Sequence, residues 1–375
     1  MNFISNLPRD LRSGGFSAMN VAAHEALREL DAIHYVGPIN PSIIFRQKAT
    51  SKLLRTFGMQ GDFFAFSPER LATIAEQVER HCSTAAQFDF FHGFTSWIST
   101  KPARPYAAWS DCTFRDYIGI YHRPELFQPA DIERIAQAEA AWLRSARYVG
   151  FSNSWAACRA VEHYGLDRSR VRVVGNFGEI EAPVADGYAG GKQFVFVSTD
   201  FAAKGGPMVL SAFRRLRQRH ADASLVIVGA QPTDGSKEPG VSVAGYLRKE
   251  VSTEYAAFRK ILSSARCLVH PTRSDISPLI ILEAAYFGCP AIASNRFAIP
   301  ELIDSGTTGV LLDDPSAETV ADAMNWMLEN ESAFQDMRRR ARANAVTQYS
   351  KAAFAAKMRE LVAPLLQPHE DSVSR

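Results

Sequence analysis

Along the chain, short runs rich in Val, Ile and Phe alternate with segments whose apolar residues recur three and four positions apart. The runs are the pattern of buried strands, and the segments between them that of amphipathic helices. The second half shows this best. Phe194 to Ser198 reads as a strand, after which Val209, Phe213 and Leu216 keep helical spacing among Arg214, Arg215, Arg217 and Arg219. Strands are predicted again at Leu225 to Val228, Val241 to Gly245, Cys267 to His270 and Ala291 to Ser294, with helices such as Glu254 to Leu262 between them. The first half opens in the same way, with a strand near Phe3, a turn at Gly14-Gly15 and a helix around Met19 to Leu30. Alternation of this kind predicts an α/β protein with doubly wound, Rossmann-like parallel sheets.

The stretch from Gly178 to Gly191 is rich in Gly, Ala, Pro and acids and lacks periodicity, so it reads as the linker between two domains, residues 1–183 and 184–350. Ligands of open α/β sheets bind beyond the carboxyl ends of the strands, so two such domains facing each other would enclose a cleft.

Length agrees with two domains, since 375 residues at about 150 per domain make two or slightly more. A hydrophobic fraction of 46% and a charged fraction of 22% mark a globular chain and exclude disorder and collagen-like structure. With 42 basic against 40 acidic residues the net charge is +2, which gives no reason to expect nucleic acid as a partner. The five cysteines, Cys82, Cys112, Cys158, Cys267 and Cys289, are scattered singly and form neither a disulfide framework nor a zinc motif. No leader pattern and no long apolar span is present, so the expected location is cytoplasmic. One local bias stands out. Residues 32–61 contain no Asp or Glu, while Arg46, Lys48, Lys52 and Arg55 lie among Ile43, Ile44, Phe45, Leu53, Leu54 and Phe57. Such a segment suits docking of residues 43–57 on an anionic membrane surface. A second basic run, Met337 to Ala345, reads as a solvated helix face.

The segment richest in chemistry runs from His270 to Ser294. It leaves a strand, carries Asp275 in a loop, and begins a helix near Pro278, where a missing N–H does little harm. The free amides at that helix start, from Ile276 and Ser277 to Leu279, suit a pyrophosphate, and Glu283 one turn on can accept hydrogen bonds from ribose hydroxyls.

Taken together, a carboxylate, seven residues and a glutamate, continuing as LEAAYFGCPAIASNRFAIPELIDSGTTGVLL, resemble the carboxyl-terminal signature of retaining family 4 glycosyltransferases (glycosyl transferases group 1), which have the GT-B fold. The resemblance implies that Glu283 binds the ribose of a nucleotide donor and that Asp275 contacts the donor sugar; the usual residue at the latter position is Glu, one methylene longer. STDFAAKGGPMVLSAF is similar to the loop in which the family neutralises the departing diphosphate, and Lys204 fits its lysine, whereas Thr199 and Ala203 stand where arginine is common. SGGFSAMN, from Ser13, resembles the family's glycine turn, with Gly15 toward donor phosphate and Gly14 toward the acceptor side. His92 in FHGFTSW matches a histidine near the donor sugar, and Asp111 in AAWSDCTF echoes the acceptor domain. The last helix, residues 351–366 within a crossover segment 351–375, would return to the first domain through Phe354, Met358, Leu361 and Leu365.

The activity that the resemblance implies is transfer of a sugar from a nucleotide-diphosphate donor to a hydroxyl of a saccharide or lipid-linked acceptor, with retention. No D-x-D motif is present, so no metal and no other cofactor is expected. The three departures at the donor site keep a second function class open, a degenerate GT-B protein that binds a nucleotide or a partner without catalysis. A nucleotide-sugar epimerase shares the architecture, and a nicotinamide dehydrogenase is disfavoured because SGGFSAMN lacks G-x-G-x-x-G.

Overall fold

The computed structural model describes residues 1–11, 14–229 and 238–366. They form two compact units, one of residues 1–175 with the described residues from Phe354 onward, the other Asn176–Ala353. Ser13, the first residue of the glycine-turn motif, and residues 367–375 of the predicted crossover segment lie outside the described residues.

In the first unit the strands are β1 (Asn2–Ile4), β2 (His34–Val36), β3 (Asp89–His92), β4 (Tyr106–Ser110), β5 (Tyr148–Phe151) and β6 (Val171–Val173). They pair in the order β2-β1-β3-β4-β5-β6, all parallel. Every residue of β3 and β4 is buried, as expected of strands covered by helices on both faces. The order reverses between β1 and β3, which opens a crevice where their carboxyl ends diverge. Around these strands the core is aromatic: Phe3, Phe90, Phe91, Trp97, Trp109 and Phe151 are all buried. The chain's last described helix, Lys351–Leu366, joins this unit from Phe354 onward. Phe354 meets Trp109 edge-on with ring centroids 5.9 Å apart, and Arg359 reaches Glu29 at 2.6 Å. Its buried stripe is Phe354, Met358, Leu361 and Val362, with Leu365 only half-buried.

The second unit contains β7 (Gln193–Ser198), β8 (Ser224–Gly229), β9 (Val241–Gly245), β10 (Cys267–His270), β11 (Ala291–Ser294) and β12 (Gly309–Leu312). Their order is β12-β11-β10-β7-β8-β9, again all parallel, with the reversal between β7 and β10. Side chains alternate across β7, so Phe194 and Phe196 enter a core with Phe213, Met324 and Met327, while Val195 enters one with Leu262, Leu268 and Ile281.

Two expectations need correction. Residues 176–183 pack with the second unit, because Gly178 N–H donates to the Tyr286 hydroxyl at 2.9 Å and Glu179 N–H to Glu283 at 3.0 Å. The basic run at Met337 to Ala345 is not simply a solvated face. Arg338 is fully buried, with Nη2 2.5 Å from Asp186 and its guanidinium 4.0 Å over the Tyr188 ring, and Arg342 donates to the carbonyls of Pro183 and Tyr286. These two arginines staple the Gly-rich stretch to the second unit, since a buried guanidinium needs several acceptors and a planar partner.

Candidate functional site

The reversal in the second sheet brings together the loops that follow β7 and β10. The first is a tight turn in which Ser198 Oγ accepts from Asp200 N–H at 2.9 Å and Asp200 Oδ1 accepts from Ala203 N–H at 3.0 Å. Gly205 closes it at φ +89°, and a Cβ there would lie 2.8 Å from the Pro271 carbonyl, so only glycine lets the two loops approach. The second loop is braced by Ser294 Oγ, which donates to Thr272 O at 2.5 Å. Lys204 spans the gap. Its Nζ donates to the Ser274 carbonyl and lies 2.7 Å from Asp275 Oδ2, and both side chains keep about a fifth of their surface exposed. Beneath them His270 Nε2 stands 4.0 Å from the same carboxylate oxygen. Burial lowers the His270 pKa to about 4, against the pull of Asp275, so the ring is neutral; among the described residues neither of its nitrogens has a hydrogen-bond partner.

Glu283 lies on the helix Leu279–Tyr286 and is buried. Its Oε1 accepts from Glu179 N–H at 3.0 Å and from Lys249 Nζ at 2.6 Å, and Lys249 also reaches Glu179 Oε2 at 2.9 Å. Burial raises the Glu283 pKa and Lys249 opposes that rise; burial lowers the Lys249 pKa, but the two carboxylates outweigh it and raise it overall. The ammonium thus works against burial and favours the charged form of the carboxylate.

Between these clusters runs the helix start. Pro278 is the N-cap rather than the first helical residue, with ψ 115°. Ile281 N–H donates to Pro278 O at 3.1 Å, so the amides of Ser277 and Leu279 lie ahead of the helical ladder, where anions are held. Ser277 Oγ accepts from Asn176 Nδ2 at 2.8 Å, and Ile276 is buried with its carbonyl accepting from Ala298 N–H at 3.1 Å.

The corresponding edge of the first unit has another character. Gly14 caps the helix Gly15–Arg28 at φ +90°, and its carbonyl accepts from Ser17 and Ala18 N–H, both at 3.1 Å. His92 ends β3 with no exposed surface, its ring 4.3 Å from Phe16 and 5.3 Å from Trp109. Burial lowers its pKa to about 3, and among the described residues neither ring nitrogen is hydrogen-bonded. The ring is therefore a neutral member of an aromatic stack. Asp111 follows β4, half-buried, with burial raising its pKa; Asn153 Nδ2 donates to its carbonyl at 3.0 Å. Glu139 ties this edge together, accepting from Thr95 Oγ1 and Phe114 N–H, both at 2.6 Å, and from the Tyr164 hydroxyl at 2.9 Å.

Lys204 and Asp275, which the resemblance assigns to the donor site, are in direct contact, while Glu283 sits one helical turn beyond Leu279 in a cluster that sequence reasoning missed. Lys249 and Glu179 belong to no motif with Glu283. The sequence signal nearest to them is GYLRKE, the loop after Gly245, which follows a strand, carries two cations and reads as a border of the nucleotide base. His270, Asn176 and Glu139 were also not nominated.

Residues 183–348 match the family model described as "Glycosyl transferases group 1". A phosphatidyl-myo-inositol mannosyltransferase of Mycolicibacterium smegmatis is 28% identical over 154 residues, 40% of each chain. The match thus spans about two fifths of that curated relative's length. Among solved structures, Anabaena HepE in complex with UDP-glucose superposes with a TM-score of 0.65 at 15% identity, covering 97% of this chain and 100% of that one. WaaG, a glycosyltransferase involved in lipopolysaccharide biosynthesis, superposes with a TM-score of 0.67 at 13% identity over 96% and 99%. The fold of the two six-stranded sheets is that of GT-B glycosyltransferases.

Proposed function

We propose that this chain, whose second unit carries a glycosyl transferases group 1 domain, moves a sugar from a nucleotide-diphosphate sugar to a hydroxyl of a saccharide or lipid-linked acceptor, with retention. The observation that carries this reading is the Lys204–Asp275 pair at the sheet's reversal, a cation and a carboxylate in contact at the place where open α/β sheets take ligands. In the reaction the bond between the anomeric carbon and the diphosphate oxygen breaks. The acceptor oxygen then bonds to the same face of that carbon, and its proton passes to the departing diphosphate. Lys204 exchanges Asp275 for the diphosphate and offsets its growing charge, the helix amides at Ser277 and Leu279 assist, and no metal is assigned to the step. Asp275, released, accepts from sugar hydroxyls, and Glu283 accepts from the ribose.

HepE was solved with UDP-glucose and the mycobacterial relative is named a mannosyltransferase, which supports a hexose donor without choosing the nucleotide. Incubation with UDP- and GDP-hexoses and a panel of glycan and glycolipid acceptors, with the product's anomeric configuration read by NMR, tests the proposal. A retained linkage is expected, and an inverted one contradicts it. A second reading, a nucleotide- or partner-binding protein without catalysis, is favoured by Thr199, Ala203 and the short Asp275. Slow donor hydrolysis would count against it.

The helix Phe45–Thr56 supports an anionic membrane surface as a further partner of the same enzyme. Phe45, Leu53 and Phe57 are 81%, 60% and 70% exposed, beside Arg46 and Lys52, and no helix among the described residues is long and apolar enough to cross a membrane. Co-sedimentation with vesicles containing phosphatidylglycerol, but not with phosphatidylcholine alone, is the expected result; equal pelleting with both withdraws the membrane surface.

A further inference from the structure

Lys249 stands in the loop after β9, and nothing in the glycosyltransferase signature points to it. Its ammonium lies 2.6 Å from Glu283 Oε1 and 2.9 Å from Glu179 Oε2, with both carboxylates almost wholly buried. Glu283 Oε1 is occupied twice over, by that ammonium and by Glu179 N–H. The oxygen left to receive a ribose diol is Oε2. We propose that Lys249 is a positioning residue of the nucleotide site: it neutralises the Glu179–Glu283 pair so that Glu283 stays ionised and turned with Oε2 toward the ribose. The inference rests on the ribose reading of Glu283 under Proposed function.

The physical case is that of two buried like charges. Burial raises the Glu283 pKa, the neighbouring Glu179 carboxylate adds to that rise, and without a cation nothing of opposite charge restrains it. A protonated Glu283 is a poorer acceptor for two hydroxyls. The other groups facing this cluster do not supply the missing charge. Tyr286, on the same helix, gives its hydroxyl to the Tyr349 carbonyl and accepts from Gly178 N–H. On the helix Ser252–Ser264, Tyr255 accepts from Glu181 N–H and Arg259 is turned to the Glu181 carbonyl and the Phe287 ring. Burial already raises the Glu283 pKa and Lys249 restrains it, so removing the ammonium moves the loss of nucleotide binding to higher pH.

The test compares wild type with Lys249→Met, Lys249→Arg and Lys249→Met/Glu179→Gln by titration with UDP and with GDP between pH 6 and 8. For wild type the affinity is expected to change by less than about threefold across this range. For Lys249→Met it should be at least about tenfold weaker at pH 6 than at pH 8, one unit of pH being worth up to a factor of ten for a single proton. Lys249→Arg should be flat. The double variant should regain part of the affinity lost at pH 6, because it removes the like-charged neighbour while burial still raises the Glu283 pKa and the Glu179 amide is kept. A uniform loss at every pH in Lys249→Met, with no rescue in the double variant, would overturn the proposal and make Lys249 a direct nucleotide contact. Melting temperatures of the same ligand-free variants across the same range separate the two layers. A pH-dependent difference between Lys249→Met and wild type that the double variant reduces upholds the neutralising role even if neither nucleotide binds, in which case it is the ribose reading that fails.

Discussion

The two sheets have the same number of strands, all parallel, and each reverses its order beside the first strand of its unit, yet the two reversals are filled by opposite chemistry. In the second unit charged groups meet there: Lys204 on Asp275 above a neutral His270. In the first unit the reversal between β1 and β3 is closed by rings, with His92 stacked among Phe16, Phe3 and Trp109 and no formal charge on the imidazole. Paired charges near a ligand surface can change partners when an anion arrives, whereas an aromatic stack can only pack. The second unit thus has charges that an anion could re-pair, and the first has a packed ring stack in the same topological place.

That contrast can be broken at several points. The largest effect expected is on stability in the first unit: Trp109→Ala should cost about 3–5 kcal/mol, read by urea unfolding, because it removes a fully buried ring from the stack with His92 and Phe354. A change below about 1 kcal/mol would mean that the stack does not hold this edge. In the second unit the same measurement should move little for Lys204→Ala, while sugar transfer falls at least about tenfold, equivalent to about 1.4 kcal/mol of transition-state stabilisation. Activity near wild type would remove Lys204 from the donor site.

A smaller effect separates two buried groups of the first unit, His92 and Glu139, whose pKa values burial moves in opposite directions. His92 is neutral in the folded chain, with its pKa lowered by burial to about 3, so the unfolded chain takes up its proton first and stability is lost as pH falls from the unfolded value of about 6.5 toward 3. Glu139 works the other way. Burial raises its pKa to about 7, so its contribution is full below the unfolded value of about 4.5 and is lost as pH rises through 7. His92→Phe should therefore lose stability less steeply than wild type between pH 6.5 and 4, by up to about 1.4 kcal/mol per pH unit, in urea unfolding at each pH. Parallel curves would show that His92 is not held neutral.

How much of this was legible in the sequence differs between the units for a physical reason. Asp275, Ser277 and Glu283 fall within one contiguous loop and helix, so spacing alone carries their geometry, and Lys204 lies at a strand end beside paired glycines that the sheet order brings to the same place. Lys249 meets Glu283 across 34 residues and Glu179 across 70, a juxtaposition that only the paths of β9 and of residues 176–183 create. Arg338 looked solvated because its run is basic; Asp186 and Tyr188, in a stretch that reads as a loose linker, cover it. The resemblance puts His92 near the donor sugar; local sequence could not show that Phe16, from the first turn of the helix Gly15–Arg28, lies across it.

The most direct measurement is the thermal shift produced by UDP, GDP and ADP in wild type and in Glu283→Ala, since a ligand of the folded state raises its stability by mass action. One nucleotide should raise the wild-type melting temperature by several degrees at about 100 times its dissociation constant, and the substitution should abolish that shift. Equal shifts in both proteins, or none with any nucleotide, would contradict a nucleotide site built on Glu283.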